Sequence, residues 1–283
     1  MRILITIFIL IYFVSATNGQ IPSPNFISID HIPIAVKNLD NSRKEFSDLL
    51  HFKVKNGKEH EGIKNYFIKF EDGTYLEFTT PIDSLQTIGK YYADFLKNRQ
   101  GGTSLAIAVK SSDTLINYLN AQSIVYNIDS NRIWKTIEPK GFELFFIDYA
   151  DKQWRDSKTN TTHLNTASSL KSAYILSPDI NTDVKKYKLF GFSELKKGSF
   201  LNIPYRHLII GDSHLYLLEA YKSKKITRFL NQQDLIGICG FEIKVKALST
   251  LNKLLEKTDR VIIDKNRTIV YLQDLNLFFV FTE

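Results

Sequence analysis

Apolar positions in this chain fall into short runs broken by polar turns. The stretch "SIDHIPIAVKNLDNSRKEF" (28–46) sets the pattern. An apolar, isoleucine-rich strand is interrupted near its start only by Asp30 and His31. A polar turn at 37–40 follows, then a helical stretch for which Asp40 suits the N-cap, accepting hydrogen bonds from free amides of the first turn. Helical spacing recurs at Leu115, Tyr118 and Leu119, and at Leu248, Leu251, Leu254 and Leu255. "SLQTIGKYYADFLKN" (84–98) predicts a further helix. Aromatic-rich runs, "GFELFFIDY" (141–149) and "LNLFFVFTE" (275–283), read as strands.

The pattern repeats. Residues 30–54 match 172–195 as strand, polar turn, helix and a Phe-bearing segment, with Asn181 as the second N-cap. "KNYFIKFEDGTYLEFTT" (64–80) matches "RHLIIGDSHLYLLEAY" (206–221), each a hairpin whose second strand carries a glutamate near its end. Leu39 and Ile180 lie 141 residues apart, and Glu77 and Glu219 lie 142 apart. Each half divides again, because "TSLAIAVKSSD" (103–113) and "GICGFEIKVKA" (237–247) reopen the theme. The chain therefore predicts an α+β fold of four βαβββ units, at about 27–81, 103–150, 170–222 and 236–283. Residues 151–169 are polar and read as a linker between 20–150 and 170–283.

The first 19 residues stand apart. Arg2, an apolar run from Ile3 to Val14 and then small or polar residues have the pattern of a secretory signal peptide. The run is too short to span a bilayer comfortably. Cleavage after Ala16 or Gly19 would export the remainder, to a periplasm or outside the cell. No second run approaches membrane-spanning length, so no membrane span is expected in the mature chain. Cys239 is the only cysteine, which rules out an intrachain disulfide, and its apolar setting reads as core packing. Net charge is +7 with Lys and Arg scattered among acids. The densest cluster, Lys222, Lys224, Lys225 and Arg228, reads as a solvated loop or helix start, and export argues against a nucleic-acid partner. Glycine-rich phosphate loops and Gly-x-Ser-x-Gly turns are absent. "NTT" (160–162) and "NRT" (266–268) match the glycosylation acceptor pattern, and Trp134 and Trp154 suit either a pocket or simple packing.

Through "DHIPIAVKNLD" and "NYFIKFEDGTYLEFTT", the first unit resembles the glyoxalase-like domain group of the vicinal-oxygen-chelate superfamily, which includes glyoxalase I, extradiol dioxygenases and bleomycin-resistance proteins. The resemblance is good over 27–222 and rests on pattern alone in the last unit. It implies units paired into two cup-shaped mixed sheets with a site inside the cup. In metal-dependent members, His or Gln on a first strand and Glu on a last strand bind one divalent metal. His31 and Glu77 fall at those positions, as metal ligands or as a catalytic acid–base pair. Alternation puts Tyr75, Glu77 and Thr79 on one strand face. Imidazole with carboxylate suits Zn²⁺, Fe²⁺, Mn²⁺ or Ni²⁺.

The partner unit offers Ser104 and Phe145 at the matching positions, and neither completes a metal set. A third ligand would have to be Glu143, two residues before Phe145, or His60 in "GKEHEGIKN". The second half offers Ser172, Glu219 and Gly240, with His207 and His214 on neighbouring strands. Two functions are expected: an exported enzyme acting on a small oxygenated organic molecule, or a non-catalytic small-molecule-binding module in the same cup. A cup filled by its own side chains is a third outcome, suited to the aromatic fourth unit. Nothing in the sequence indicates an oligomeric state.

Overall fold

The computed structural model describes residues 26–153, 155–220, 236–256 and 261–283. The leader (1–19), Trp154 and the basic cluster at 222–228 lie outside the described residues. Four βαβββ units follow one another. The first is β1 (Phe26–Ala35), α1 (Leu39–Lys44), β2 (Lys55–His60), β3 (Ile63–Lys69) and β4 (Tyr75–Pro81). After α2 (Thr87–Asn98) and β5 (Gly101–Gly102), the second is β6 (Leu105–Val109), α3 (Ser112–Ala121), β7 (Tyr126–Ser130), β8 (Trp134–Pro139) and β9 (Leu144–Tyr149). A short α4 (Lys158–Thr161) leads to the third, β10 (Ala167–Ser177), α5 (Ile180–Leu189), β11 (Ser193–Phe200), β12 (Ile203–Ile210) and β13 (Ser213–Glu219). The fourth is β14 (Gly237–Val245), α6 (Leu248–Leu255), β15 (Val261–Asp264), β16 (Arg267–Leu272) and β17 (Leu277–Thr282).

Units one and two form one sheet in the order β2-β3-β4-β1-β6-β9-β8-β7, with β5 beside β1. Units three and four form another, β11-β12-β13-β10-β14-β17-β16-β15. In every unit the first strand runs parallel to the last. The two first strands meet antiparallel at each sheet's centre. The helix N-caps are Asn38 and Asp179, two residues before the expected Asp40 and Asn181. Each carboxyl or amide oxygen accepts a backbone N–H of the first turn, Asn41 in one case and Asn181 and Thr182 in the other.

The helix-bearing faces of the two sheets share one core. Ile32, Ile34 and Val36 of the first sheet belong to the same buried cluster as Phe241, Phe279 and Phe281 of the second. Phe46 joins them, its ring 4.4 Å from Phe78 and 5.5 Å from Phe279. The Tyr118 hydroxyl on α3 donates to the Leu189 carbonyl at the end of α5 (2.5 Å). The opposite face of each sheet forms the cup. In the second cup Tyr174, Phe200 and Phe278 fill the space, with ring centroids 4.9–5.3 Å apart. Cys239 is fully buried among them, as its apolar setting suggests, and burial pushes its thiol far up. Across the first cup lies α2, packing Tyr92 and Leu96 on Ala35 and Ile63.

The sheets also touch where β1 passes the β12–β13 hairpin. The Ile29 N–H donates to Ser213 Oγ (2.8 Å), and Gly211 at φ +53° has room for no side chain, because a Cβ would stand 1.5 Å from the Ile27 carbonyl oxygen. Gly211→Ala is expected to lower unfolding free energy by more than about 1 kcal/mol in a urea titration, since both strain and the clash fall on backbone.

His163 and Asn165, within the segment expected as a linker, are bound to the first unit. Asn165 Nδ2 donates to the Leu50 carbonyl (2.6 Å). His163 Nδ1 accepts the Lys53 N–H (2.9 Å), while Nε2–H donates to the Lys69 carbonyl (2.9 Å). Only the neutral ring satisfies both partners, and burial lowers its pKa from 6.5 to about 4. The unfolded state therefore takes up the proton first, and stability is lost as pH falls from 6.5 towards 4, by up to about 3 kcal/mol. Urea midpoints at pH 7.5 and 5 should diverge for the natural chain and diverge less for His163→Gln.

Candidate functional site

The first cup owes its polar centre to an irregularity in β1. The β1–β6 ladder shifts register between Ile29 and His31. Ile29 and Ile32, an odd number of residues apart, therefore both reach the helix-side core, and Asp30 and His31 both turn into the cup. On β4 the ordinary alternation places Tyr75, Glu77 and Thr79 on the same side.

His31 is 4% exposed. Its Nδ1 lies 2.6 Å from Asp30 Oδ1, so the proton on Nδ1 is held by a carboxylate and Nε2 is aimed the other way, 3.7 Å from Glu77 Oε2. The ring stacks on Tyr75 with centroids 4.3 Å apart and planes 9° off parallel. Asp30 also accepts from the Tyr149 hydroxyl (3.0 Å), which lies 3.3 Å from the Tyr75 hydroxyl. Burial first, then Asp30, pushes both phenols up, so they remain protonated donors. Glu77 is fixed from β3: Asn65 Nδ2 donates to Oε1 (2.7 Å), and Asn65 Oδ1 accepts the Lys58 N–H (3.0 Å). His60 Nε2 stands 3.5 Å from the same Asn65 Nδ2.

Lys69 completes the group. Its Nζ lies 3.1 Å from the Tyr75 ring centroid and 4.5 Å from that of Phe67. Burial brings its pKa down from 10.5 to about 8, against the opposing pull of Asp30 and Glu77. A cavity of about 300 Å³ adjoins Asp30, Tyr75 and Tyr149, and its far wall comes from Lys152 and Arg155 and from Lys171 and Asp212 of the second half.

Of the residues expected from sequence, His31 and Glu77 come together, and His60 reaches them through Asn65. Glu143 does not. It shares the face of Phe145, but two residues along a strand is about 7 Å, and it stands at the foot of β9 beside Arg99 and Gly237. Residue type and spacing do not mark Asp30, Asn65, Lys69 or Tyr149 as site residues, and they mark Tyr75 only by its place on the Glu77 face. The alternation Asn65, Phe67, Lys69 on β3 was the available signal, because a lysine on a half-buried strand face is unusual.

The donor set does not fit a protein-held metal centre. Phe145 fills the partner position, its ring edge-on to His31 at 5.5 Å. Glu143 lies elsewhere, and Glu77 is engaged by Asn65. Among the described residues no three His, Cys, Asp or Glu side chains are grouped to hold a metal ion, where about three protein ligands are usual.

The second cup differs. Glu77 faces Pro33, five residues before the N-cap Asn38; the equivalent strand residue, facing Tyr174 five before Asp179, is Tyr216. Glu219 faces Ser177 instead, so the 142-residue match of the two glutamates is not a structural one. His207 and His214 do meet, Nε2 to Nδ1 at 2.9 Å, with His207 stacked on Tyr216 at 4.4 Å. Burial, then His214, lowers the His207 pKa to about 4. Ser172 is bonded to Glu242 (2.5 Å).

No helix among the described residues is long and apolar enough to cross a membrane. No curated protein matches the chain. A hypothetical protein from Staphylococcus aureus has a similar structure, with TM-score 0.62 and 12% identity over 90% of this chain and 98% of its own. So has a variant of homoprotocatechuate 2,3-dioxygenase from B. fuscum, with TM-score 0.65 and 12% identity over 93% of this chain and 73% of its own. Another variant of that enzyme, in complex with HPCA, matches with TM-score 0.64 and 12% identity over the same shares. These likenesses show the fold. The model of the glyoxalase-like domain matches residues 29–189, more than half of the chain. With its paired βαβββ units and that match, this chain belongs to the glyoxalase-like domain family of the vicinal-oxygen-chelate superfamily.

Proposed function

We propose that the first cup is the reaction site of an exported enzyme acting on a small oxygenated organic molecule, with His31 and Glu77 as an acid–base pair that needs no protein-held metal. One observation carries this reading: Asp30 holds Nδ1 of His31 and leaves Nε2 facing Glu77. A ring fixed at one nitrogen presents the other in a single orientation, as proton transfer requires. Glu77 receives or returns the proton, and Asn65 keeps its second oxygen from turning away. Tyr149 donates to Asp30 and stands 3.3 Å from the Tyr75 hydroxyl, so the two phenols steady the carboxylate that orients His31. The leader-like residues 1–19 support export.

The test is hydrogen–deuterium exchange at carbon in small aldehydes, ketones and hydroxy acids, followed by NMR on chelator-treated protein. Exchange that persists after chelation and vanishes in Glu77→Gln is expected. Exchange lost on chelation and restored by a divalent metal would refute the metal-free reading.

The second reading, a binding module, is favoured by a different feature: His31 with Asp30, and Glu77 with Asn65, already satisfy one another. It predicts ligand-induced stabilisation in thermal melts with no exchange at carbon.

A further inference from the structure

The cavity of about 300 Å³ beside Asp30 is at the lower end of the range for small-molecule sites, and neither His31 nor Glu77 lines it. Ser28 and Ala108, cross-strand partners on β1 and β6, give it small side chains. Among the described residues, four carboxylates and three cations line it. Asp30 is engaged by His31 and Tyr149. Lys171 Nζ faces Asp72 at 3.8 Å, and Lys152 pairs with Asp148. Arg155 rests on the β3–β4 turn, where a Cβ on Gly73 would stand 3.1 Å from its Nε. The charges offset one another, so an anion or a cation would meet like charge beside opposite charge. A hydroxyl group suits such a wall, because it donates to a carboxylate and accepts from an ammonium or guanidinium. An exposed indole stands alongside. Tyr149 lines the cavity, and Trp134 is its partner in the β8–β9 ladder, on the same face and 37% exposed. Cross-strand partners lie about 5 Å apart at Cβ. A flat apolar surface next to mixed donors and acceptors matches the C–H face and hydroxyl rim of a sugar ring.

We propose that this cavity is a binding site for a neutral monosaccharide or cyclic polyol. The ring lies against Tyr149 and reaches Trp134 at the cavity's edge. Its hydroxyls bridge Asp72 and Lys171 and extend to Arg155 and Asp212, so both halves of the chain hold the ligand. A hydroxyl directed at Asp30 touches the carboxylate that orients His31, which couples the site to the acid–base pair. The site stands whether or not that pair is catalytic.

The test is calorimetric titration of the full chain with glucose, galactose, mannose and myo-inositol, and with glucuronate and glucosamine as charged counterparts. At least one neutral probe should bind with Kd below about 10 mM, and glucuronate and glucosamine should bind less tightly than it does. Trp134→Ala, at an exposed position, should weaken that binding about 2- to 10-fold, the range for one aromatic contact. Trp134→Phe should recover most of the loss, and Lys171→Met should weaken binding as well. A chain that binds none of the neutral probes below that limit, or binds a charged counterpart more tightly, overturns the proposal. So does binding that neither Trp134→Ala nor Lys171→Met changes, since the sugar then lies elsewhere. Carbon exchange enters none of these readouts, so the acid–base reading stands or falls separately.

Discussion

Phe46→Ala is expected to lower the unfolding free energy by about 3–5 kcal/mol, the range for deleting a buried phenylalanine side chain. Its ring lies within 4.4 Å of Phe78, 5.5 Å of Phe279 and 6.1 Å of Phe52, between the two sheets. A cavity there is walled by β-sheet on both sides, which cannot collapse to fill it. Since a folded chain is stable by only about 5–15 kcal/mol, this single change should remove a large share of the total. Urea unfolding monitored by tyrosine and tryptophan fluorescence measures it. A loss under about 1 kcal/mol would show that the sheets do not depend on a common core.

His31→Gln should reduce exchange at substrate carbon by about 10²–10⁴-fold, the usual contribution of a positioned general acid or base. Glutamine can still meet Asp30, so folding should be retained, but its amide neither takes up nor releases a proton in the working range. Asp30→Asn should cost less, because the ring keeps its Tyr75 stack and loses only its orienting partner. The comparison separates chemistry from positioning. If His31→Gln exchanges at the natural rate, the imidazole is not the proton carrier; if the natural chain itself exchanges no proton at carbon, the binding reading takes its place.

Much of the fold was legible in the chain. Period-2 alternation, aromatic strands and the repeat spacing mark the four units, because strand and helix periodicities are local properties of the backbone. The N-caps show the limit of that reading. Asp40 and Asn181 are plausible caps by residue type, yet Asn38 and Asp179 hold the first turn, and two polar candidates two residues apart differ only in the chain direction at the helix entry. The glutamate match shows it again. Glu77 and Glu219 align by their distance along the chain, but the two hairpins differ in turn length, so the registers against the first strands differ.

By itself the sequence determined the order of strands and helix in the four units, the family, and that His31 stands on a first strand and Glu77 on a last strand, with Phe145 at the partner position. Those are matters of residue type and spacing. Only the tertiary structure decided that Asp30 orients His31, that Asn65 holds Glu77, that Glu143 lies with Arg99, that Lys69 enters the first cup and that aromatic rings close the second. Each of these depends on a bulge, a ladder register or a contact between distant segments. A one-residue shift in any of them turns a side chain to the other face of its sheet.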